Sequence, residues 1–321
     1  MRILFVTNMY PTTNQQYGVF VKEQVDEITR TIKCEHDLYY INAREKGKLQ
    51  YLFSIFKIPL KIYLGKFDLI HIHYGLSALF LLFYRPKAKV FLTLHGSDIL
   101  LTKGNKLQVY ITRTLLKRVD KALILNKQME AIVKPLNIDY EILPCGVNID
   151  FFKPIPVEGR KLNTKLIVFP GSPLVQIKNY SLFEKVIDHL KRNTEFIIEE
   201  AQVNNLSREG VRDLLNKADC LLMTSFSEGS PQVIKEALSC GTPVVSVPVG
   251  DVQFMLDRIP HCYVSETRTV EELASLVLKA LEGKGKEIRE AFIDKKIYDH
   301  RTVTDRIVRS YGFNDSEHAN G

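Results

Sequence analysis

Two glutamates, Glu228 and Glu236, stand eight positions apart in the stretch SFSEGSPQVIKEALSCGTPVVS, residues 225–246. Ser230 suits an N-cap and Pro231 a first helical position, so the spacing predicts a short helix over 231–239. At ~100° per residue, Val233, Ile234, Ala237 and Leu238 share an apolar face. Gln232, Glu236 and Ser239 share another, expected to be free. The helix start, beside Gly229 and Ser230, aims the N–H groups of Gln232 and Val233 outward, which suits an anion. Glu228 precedes the helix and Glu236 lies on its flank, and each carboxylate can accept two hydroxyl hydrogen bonds. A phosphate at the helix start with polyols on either side would use every one of these groups. That is the chemistry of a sugar nucleotide.

Lys178 precedes Asn179 where a further helix is expected to start. A cation there opposes the helix dipole, and that local cost favours a ligand-binding role. His95 ends a strand-like run and enters a Gly-Ser loop, where it could hydrogen-bond a sugar or a diphosphate. Gly18, before the first helical pattern, is expected to allow close backbone approach to a ligand. His71 and His73 alternate on one strand face and read as packing and loop-orienting residues rather than metal ligands. No Asp-x-Asp occurs, so the usual carboxylate pair for a nucleotide-bound Mg²⁺ is missing, and neither metal nor cofactor is expected.

The elements that must hold these residues alternate along the whole chain. Strand patterns fall at 2–8, 36–42, 67–73, 89–95, 121–126 and 140–144, then at 165–171, 195–200, 220–225, 242–247 and 261–265. Helical patterns lie between nearly all of them. The expected fold class is α/β, with two blocks, each a parallel sheet carrying helices on both faces. Ligands bind such sheets beyond the carboxyl ends of the strands, so two blocks imply a site in a cleft between them. A length of 321 residues suits two domains. Five scattered cysteines, with no C-x-x-C pair, argue against a disulfide framework or zinc ribbon and for a reducing compartment. The chain opens directly on a strand pattern, so no signal peptide is expected. The longest apolar run, LSALFLLFY at 76–84, is too short to span a bilayer.

These motifs resemble glycosyltransferase family 4. Glu228-x7-Glu236 followed by ALSCGTPVVS resembles the family's signature. MRILFVTNMYP resembles its first strand, with Gly18 in the loop before the first helix. FDLIHIHYG and LTLHGSDI, the latter containing His95 and Asp98, resemble its D-x-x-H-x-H and H-G-S-D segments. LPCGVNIDFFKP resembles a common inter-domain turn, and FPGSPLVQIKNY the segment that opens the second domain.

The resemblance implies the GT-B architecture, two Rossmann-like doubly wound domains facing a central cleft. It implies an acceptor domain over 1–150, a linker over 151–163 and a donor domain over 164–299. A C-terminal helix near 300–313 would pack back on the first domain, and 314–321 would be a disordered tail. It implies a retaining, metal-independent transfer of a sugar from a UDP- or GDP-sugar, by same-face displacement after domain closure. Glu228, Lys178 and His95 would be catalytic. Glu236 would hold the ribose, with Gly229, Ser230, Gln232, Val233, Ser172 and Gly18 around the donor. An arginine usually follows the glycine of the last segment; here that position is Ser172. A second reading, a weak or inactive homologue acting as a nucleotide-sugar-binding or partner subunit, rests on that serine. The related epimerase of the same architecture has no motif support.

Charge divides unevenly. Residues 1–150 carry 21 Lys and Arg against 13 Asp and Glu, a balance of +8, and the remainder carries 23 against 24, a balance of −1. From Lys46 to Phe67 five lysines alternate with Tyr51, Phe53, Phe56 and Tyr63, and no acid intervenes. One reading is a sheet-packing helix with snorkelling lysines. The other is an interfacial segment on an anionic membrane. The expected partners are a nucleotide-sugar, a glycan or polyprenyl-diphosphate-linked acceptor and that membrane surface, with no nucleic acid. The expected place is cytoplasmic, peripheral on the inner face of the membrane, in capsule, lipopolysaccharide or glycolipid assembly.

Overall fold

A computed structural model of the chain describes residues 1–12, 17–101, 106–159 and 163–312. The expected tail at 314–321 and part of the expected linker lie outside these residues. The chain forms two compact units, Met1–Gly146 with the segment from His300 onward, and Val147–Asp299.

In the first unit, β1 (Arg2–Thr7), α1 (Val19–Ile32) and β2 (Glu35–Tyr40) are followed by α2 (Ala43–Lys46), α3 (Leu49–Gly65) and β3 (Leu69–His73). Then come β4 (Lys89–Thr93), α4 (Lys106–Leu116), β5 (Lys121–Ile124), α5 (Lys127–Val133) and β6 (Tyr140–Ile142). The six strands are parallel, in the order β2-β1-β3-β4-β5-β6. Strand side chains alternate between faces, and both faces are apolar because helices cover both. Leu4, Val6, Ile70 and Ile72 join one core with α3 and α4 residues. Ile3, Phe5, Leu69 and Phe91 join the other with Val21, Val25 and Ile28, which recur at helical spacing along α1.

The second unit runs β7 (Thr164–Phe169), α6 (Tyr180–Asn193), β8 (Ile197–Gln202), α7 (Arg208–Lys217), β9 (Cys220–Met223) and α8 (Gln232–Ser239). It continues with β10 (Val244–Ser246), α9 (Val252–Leu256), β11 (Tyr263–Val264), α10 (Val270–Ala280) and α11 (Lys286–Ile293). Its strands are parallel in the order β11-β10-β9-β7-β8. The last helix, α12 (His300–Tyr311), belongs to the first unit, where Val303, Ile307, Val308 and Tyr311 enter the α1 core.

All eleven expected strands form, each within two residues of its expected bounds. The boundary near 150 moves: Val147, Ile149 and Phe152 lie in the core of the second unit, so the chain enters it before the expected linker. Both sheets reverse strand order beside their first strand, between β1 and β3 and between β7 and β9. Ligands of doubly wound sheets sit at such switch points, beyond the carboxyl ends of the strands.

Candidate donor site and histidine column

The switch point of the second unit brings Lys178 and Glu228 together. β7 and β9 are hydrogen-bonded neighbours, so the loops leaving their carboxyl ends emerge side by side. They are stitched by hydrogen bonds. Thr224 Oγ1 donates to the carbonyls of Lys178 at 3.2 Å and Asn179 at 3.0 Å, and Phe226 N donates to the Ile177 carbonyl at 2.8 Å. Lys178 closes a 3-10 turn (Gln176–Lys178), and Asn179, at φ 54°, starts α6. The lysine therefore stands just outside the helix, and its Nζ lies 2.7 Å from Glu228 Oε1. Ser225 Oγ donates to the same oxygen at 2.8 Å. The lysine and glutamate side chains are only 22% and 15% exposed, which limits solvent screening of the pair.

Two expectations about the 231–239 helix are corrected. Pro231, not Ser230, occupies the cap position of α8, and the Ser230 hydroxyl instead donates to Asp251 Oδ2 at 2.7 Å. A free polar flank does not exist: Glu236 is 3% exposed and Ser239 is fully buried. Helices α7 and α11 pack against α8 and cover the face that a lone amphipathic helix would show to water. Glu236 Oε1 accepts from Arg208 Nη1 at 2.7 Å, and that guanidinium lies 4.6 Å from the centre of the buried Phe152 ring. A buried carboxylate needs such a partner.

The other residues expected around the donor in this unit lie in the same loops and at the start of α8. Gln232 and Val233 form the first turn of α8, where the helix dipole is positive. A Cβ added at Gly250, whose φ is 55°, would come within 2.4 Å of the Gly229 carbonyl, so the 228–230 loop rests directly on that backbone. Burial raises the Asp251 carboxyl, an effect that Lys235 and the Ser230 hydrogen bond oppose. The Ser172 hydroxyl accepts from Leu174 N at 3.3 Å within its own turn.

Gly18 and His95 belong to the first unit. Gly18 has φ 82°, and an added Cβ would lie 2.4 Å from the Met9 carbonyl carbon. The close approach expected of this glycine is made to the chain's own Met9–Tyr10 backbone. His95 follows β4, and Asp98 holds its loop by accepting from the backbone N–H groups of His95 (3.1 Å), Gly96 (2.9 Å) and Gly75 (3.0 Å). His71, His73 and His95 form a column, with ring centres 4.4 Å and 5.5 Å apart. Burial pushes His71 and His95 down to about 3 and His73 well below its usual value, while it raises Asp98 to about 6 against its backbone hydrogen bonds. Burial thus disfavours the protonated form along the column. Among the described residues no group of three His, Cys, Asp or Glu side chains is arranged to hold a metal.

A family profile described as Glycosyltransferase Family 4 matches residues 20–151, and one described as Glycosyl transferases group 1 matches 164–283. The chain belongs to the family 4 glycosyltransferases. A candidate teichuronic acid biosynthesis glycosyltransferase of Bacillus subtilis is 25% identical over 244 residues, 66% of this chain and 61% of its own. An N,N'-diacetylbacillosaminyl-diphospho-undecaprenol alpha-1,3-N-acetylgalactosaminyltransferase of Campylobacter jejuni is 23% identical over 202 residues, 53% of either chain. The matched region thus spans 61% and 53% of these two relatives, less than two thirds of either. Among solved structures, sucrose-phosphate synthase from Thermosynechococcus elongatus superimposes with a TM-score of 0.79 at 14% identity, covering 97% of this chain and 98% of its own. Anabaena HepE, solved with UDP, gives 0.70 at 15% identity, covering 97% and 100%. At such identities the likeness concerns the fold, which is that of the GT-B glycosyltransferases.

Against that family background, several partners escaped sequence reasoning. Arg208 follows Ser207, which caps α7 through Gly210 N, and the pair reads locally as an ordinary helix start. Nothing in the sequence couples Arg208 to a glutamate 28 positions later. Ser225, three residues before Glu228, could have been noticed, since a hydroxyl at that spacing can bond a loop carboxylate.

Proposed function

We propose that the protein is a retaining glycosyltransferase that moves a sugar from a UDP- or GDP-sugar to a glycan or polyprenyl-diphosphate-linked acceptor, without a metal. The observation that carries this reading is the Lys178–Glu228 pair at the switch point of the second sheet, beside the start of α8. In the reaction the bond from the anomeric carbon to the diphosphate oxygen breaks. The acceptor oxygen bonds that carbon on the same face, and its proton passes to the departing phosphate oxygen. Charge grows on the diphosphate, where Lys178 and the positive end of α8 are preorganised to offset it. Glu228 holds Lys178 before the donor arrives and then faces the sugar. Glu236, aligned by Arg208, accepts the ribose hydroxyls. Relatives assigned to teichuronic acid and undecaprenol-diphosphate chemistry support a surface-polysaccharide or glycolipid acceptor.

The first unit also suits a bilayer surface. Helix α3 turns Ser54, Ile58 and Ile62 inward, and leaves Leu52, Phe53, Phe56, Leu60, Tyr63 and Leu64 exposed. Phe56 and Tyr63 are each 76% exposed, beside Lys57 and Lys61. Ordinary sheet packing accounts for the inner face only. The outer face fits insertion at an anionic lipid surface on the cytoplasmic side. No described helix is long and apolar enough to cross a membrane.

A second reading, a nucleotide-sugar-binding homologue without turnover, is favoured by Ser172, whose hydroxyl serves its own turn. A panel of UDP-, GDP- and ADP-sugars separates the two. A donor at about 100 times its Kd stabilises the fold by about 2.7 kcal/mol, visible as a thermal shift. The active enzyme then transfers or slowly hydrolyses the same donor with EDTA present, and the product keeps the donor's anomeric configuration by NMR. A thermal shift with neither transfer nor hydrolysis supports the binding subunit, and loss of activity in EDTA, restored by Mg²⁺ or Mn²⁺, refutes metal independence.

A further inference from the structure

His71 and His73 carry no part of the chemistry above, yet they form a column under His95, in which His71 stacks on His73 and His73 hydrogen-bonds His95. His71 Nδ1 lies 2.5 Å from the Tyr311 hydroxyl of α12, and its Nε2 lies 2.7 Å from Thr93 Oγ1. His73 Nδ1 lies 3.3 Å from His95 Nε2. The rings stack nearly parallel, at 25° between His71 and His73 and 23° between His73 and His95. His73 is fully buried, and its Nε2 meets no hydrogen-bond partner. His95 is only half-buried, and its backbone is fixed by Asp98.

We propose that His73 is a positioning residue that fixes His95 as its neutral Nδ1–H tautomer, so that His95 meets the nucleotide-sugar as a hydrogen-bond donor to oxygen. The argument is a proton count. A neutral imidazole carries one N–H and one bare nitrogen. One hydrogen therefore lies between His73 Nδ1 and His95 Nε2. If His95 supplied it, the hydrogen of His73 would sit on Nε2, a buried donor facing no acceptor, which is the rarer kind of orphan. If His73 supplies it, Nε2 of His73 is a bare lone pair and the hydrogen of His95 moves to Nδ1. The tautomer of an imidazole is set in this way by the bond its other nitrogen makes. Burial opposes a protonated form of either ring, and for His73 the neighbouring His71 and His95 imidazoles oppose it further. His95 then offers Nδ1–H to a sugar hydroxyl or phosphate oxygen and has no lone pair left to act as a base.

The proposal rests on the reading that His95 faces the donor, and its test has a readout that does not. Long-range imidazole correlation spectra of the full chain, labelled with ¹⁵N-histidine at neutral pH, report each tautomer directly. Both His73 and His95 are expected as Nδ1–H. His73→Leu removes the donor, so His95 gains Nε2–H character and kcat/KM falls about tenfold, the size of one lost hydrogen bond. His73→Asn returns an amide donor near the Nδ1 position and restores both tautomer and rate. A wild-type His95 carrying its hydrogen on Nε2 overturns the proposal whether or not the variants fold, and so does an unchanged His95 tautomer in His73→Leu. Nδ1–H spectra from a chain that transfers no sugar would leave the positioning intact and sink the transferase reading instead.

Discussion

Replacing Lys178 by Met tests the site at its most exposed assumption. Lys178 is placed at the donor diphosphate, yet in the structure its ammonium is 2.7 Å from Glu228 and the pair is mostly buried. Two consequences follow, of different size and kind. Loss of one preorganised charge facing a leaving group costs ~10²–10³ in rate, about 2.7–4 kcal/mol of transition-state stabilisation. Loss of one partner from a half-buried pair costs about 1–3 kcal/mol of folding stability, because Glu228 keeps the Ser225 hydroxyl but loses its cation. The double variant Lys178→Met with Glu228→Gln removes both charges, so it recovers part of the stability and none of the rate. Initial rates with the working donor, beside urea unfolding of the same samples, read both quantities. An unchanged kcat/KM in Lys178→Met would remove the lysine from the diphosphate. A rate restored in the double variant would make the pair a purely structural ion pair.

Glu236→Gln keeps the side-chain volume but weakens the bond to Arg208, and is expected to raise the Kd of the free nucleoside diphosphate about tenfold with little change in kcat, because ribose contacts are uniform binding. Glu228→Gln is expected to lower kcat more than it weakens binding, and calorimetry beside kinetics separates the two. Acidification should destabilise the first unit. The unfolded histidines titrate near about 6.5, whereas burial holds His71 and His95 at about 3, so the unfolded chain binds more protons and stability is lost as pH falls through that interval. Asp98, raised to about 6, acts in the opposite sense as a single group against three, and a fold more stable to urea at pH 4.5 than at pH 7 would contradict this balance. The exposed face of α3 should sediment with anionic liposomes at low salt and release as ionic strength rises. Replacing Lys57, Lys61 and Lys66 by Gln should weaken that binding, each lysine contributing roughly 1 kcal/mol. Equal sedimentation with neutral vesicles would refute the electrostatic part.

Local sequence by itself determined the eleven strands: the central ones are short apolar runs bounded by polar or turn residues and buried on both faces, while the edge strands β2 and β8 also carry exposed polar residues. It also determined the two-block organisation and the spacing of Glu228 and Glu236, because those depend on neighbours a few residues away. The partners of the site residues were decided only by tertiary structure. Lys178 meets Glu228 because β7 and β9 are adjacent, and strand order is not written in any local pattern. Glu236 looked exposed because helix periodicity shows which residues share a face, not how many other elements cover it; Arg208 and the packing of α7 and α11 made it buried. Gly18 was legible as a position needing glycine, but which backbone it approaches depended on the fold around Met9 and Tyr10. His71 and His73 were legible as a pair on one strand face. The bond from His71 to Tyr311, 240 residues away, exists because α12 returns to the first unit, a contact set by burial of the apolar face of α12 in the α1 core.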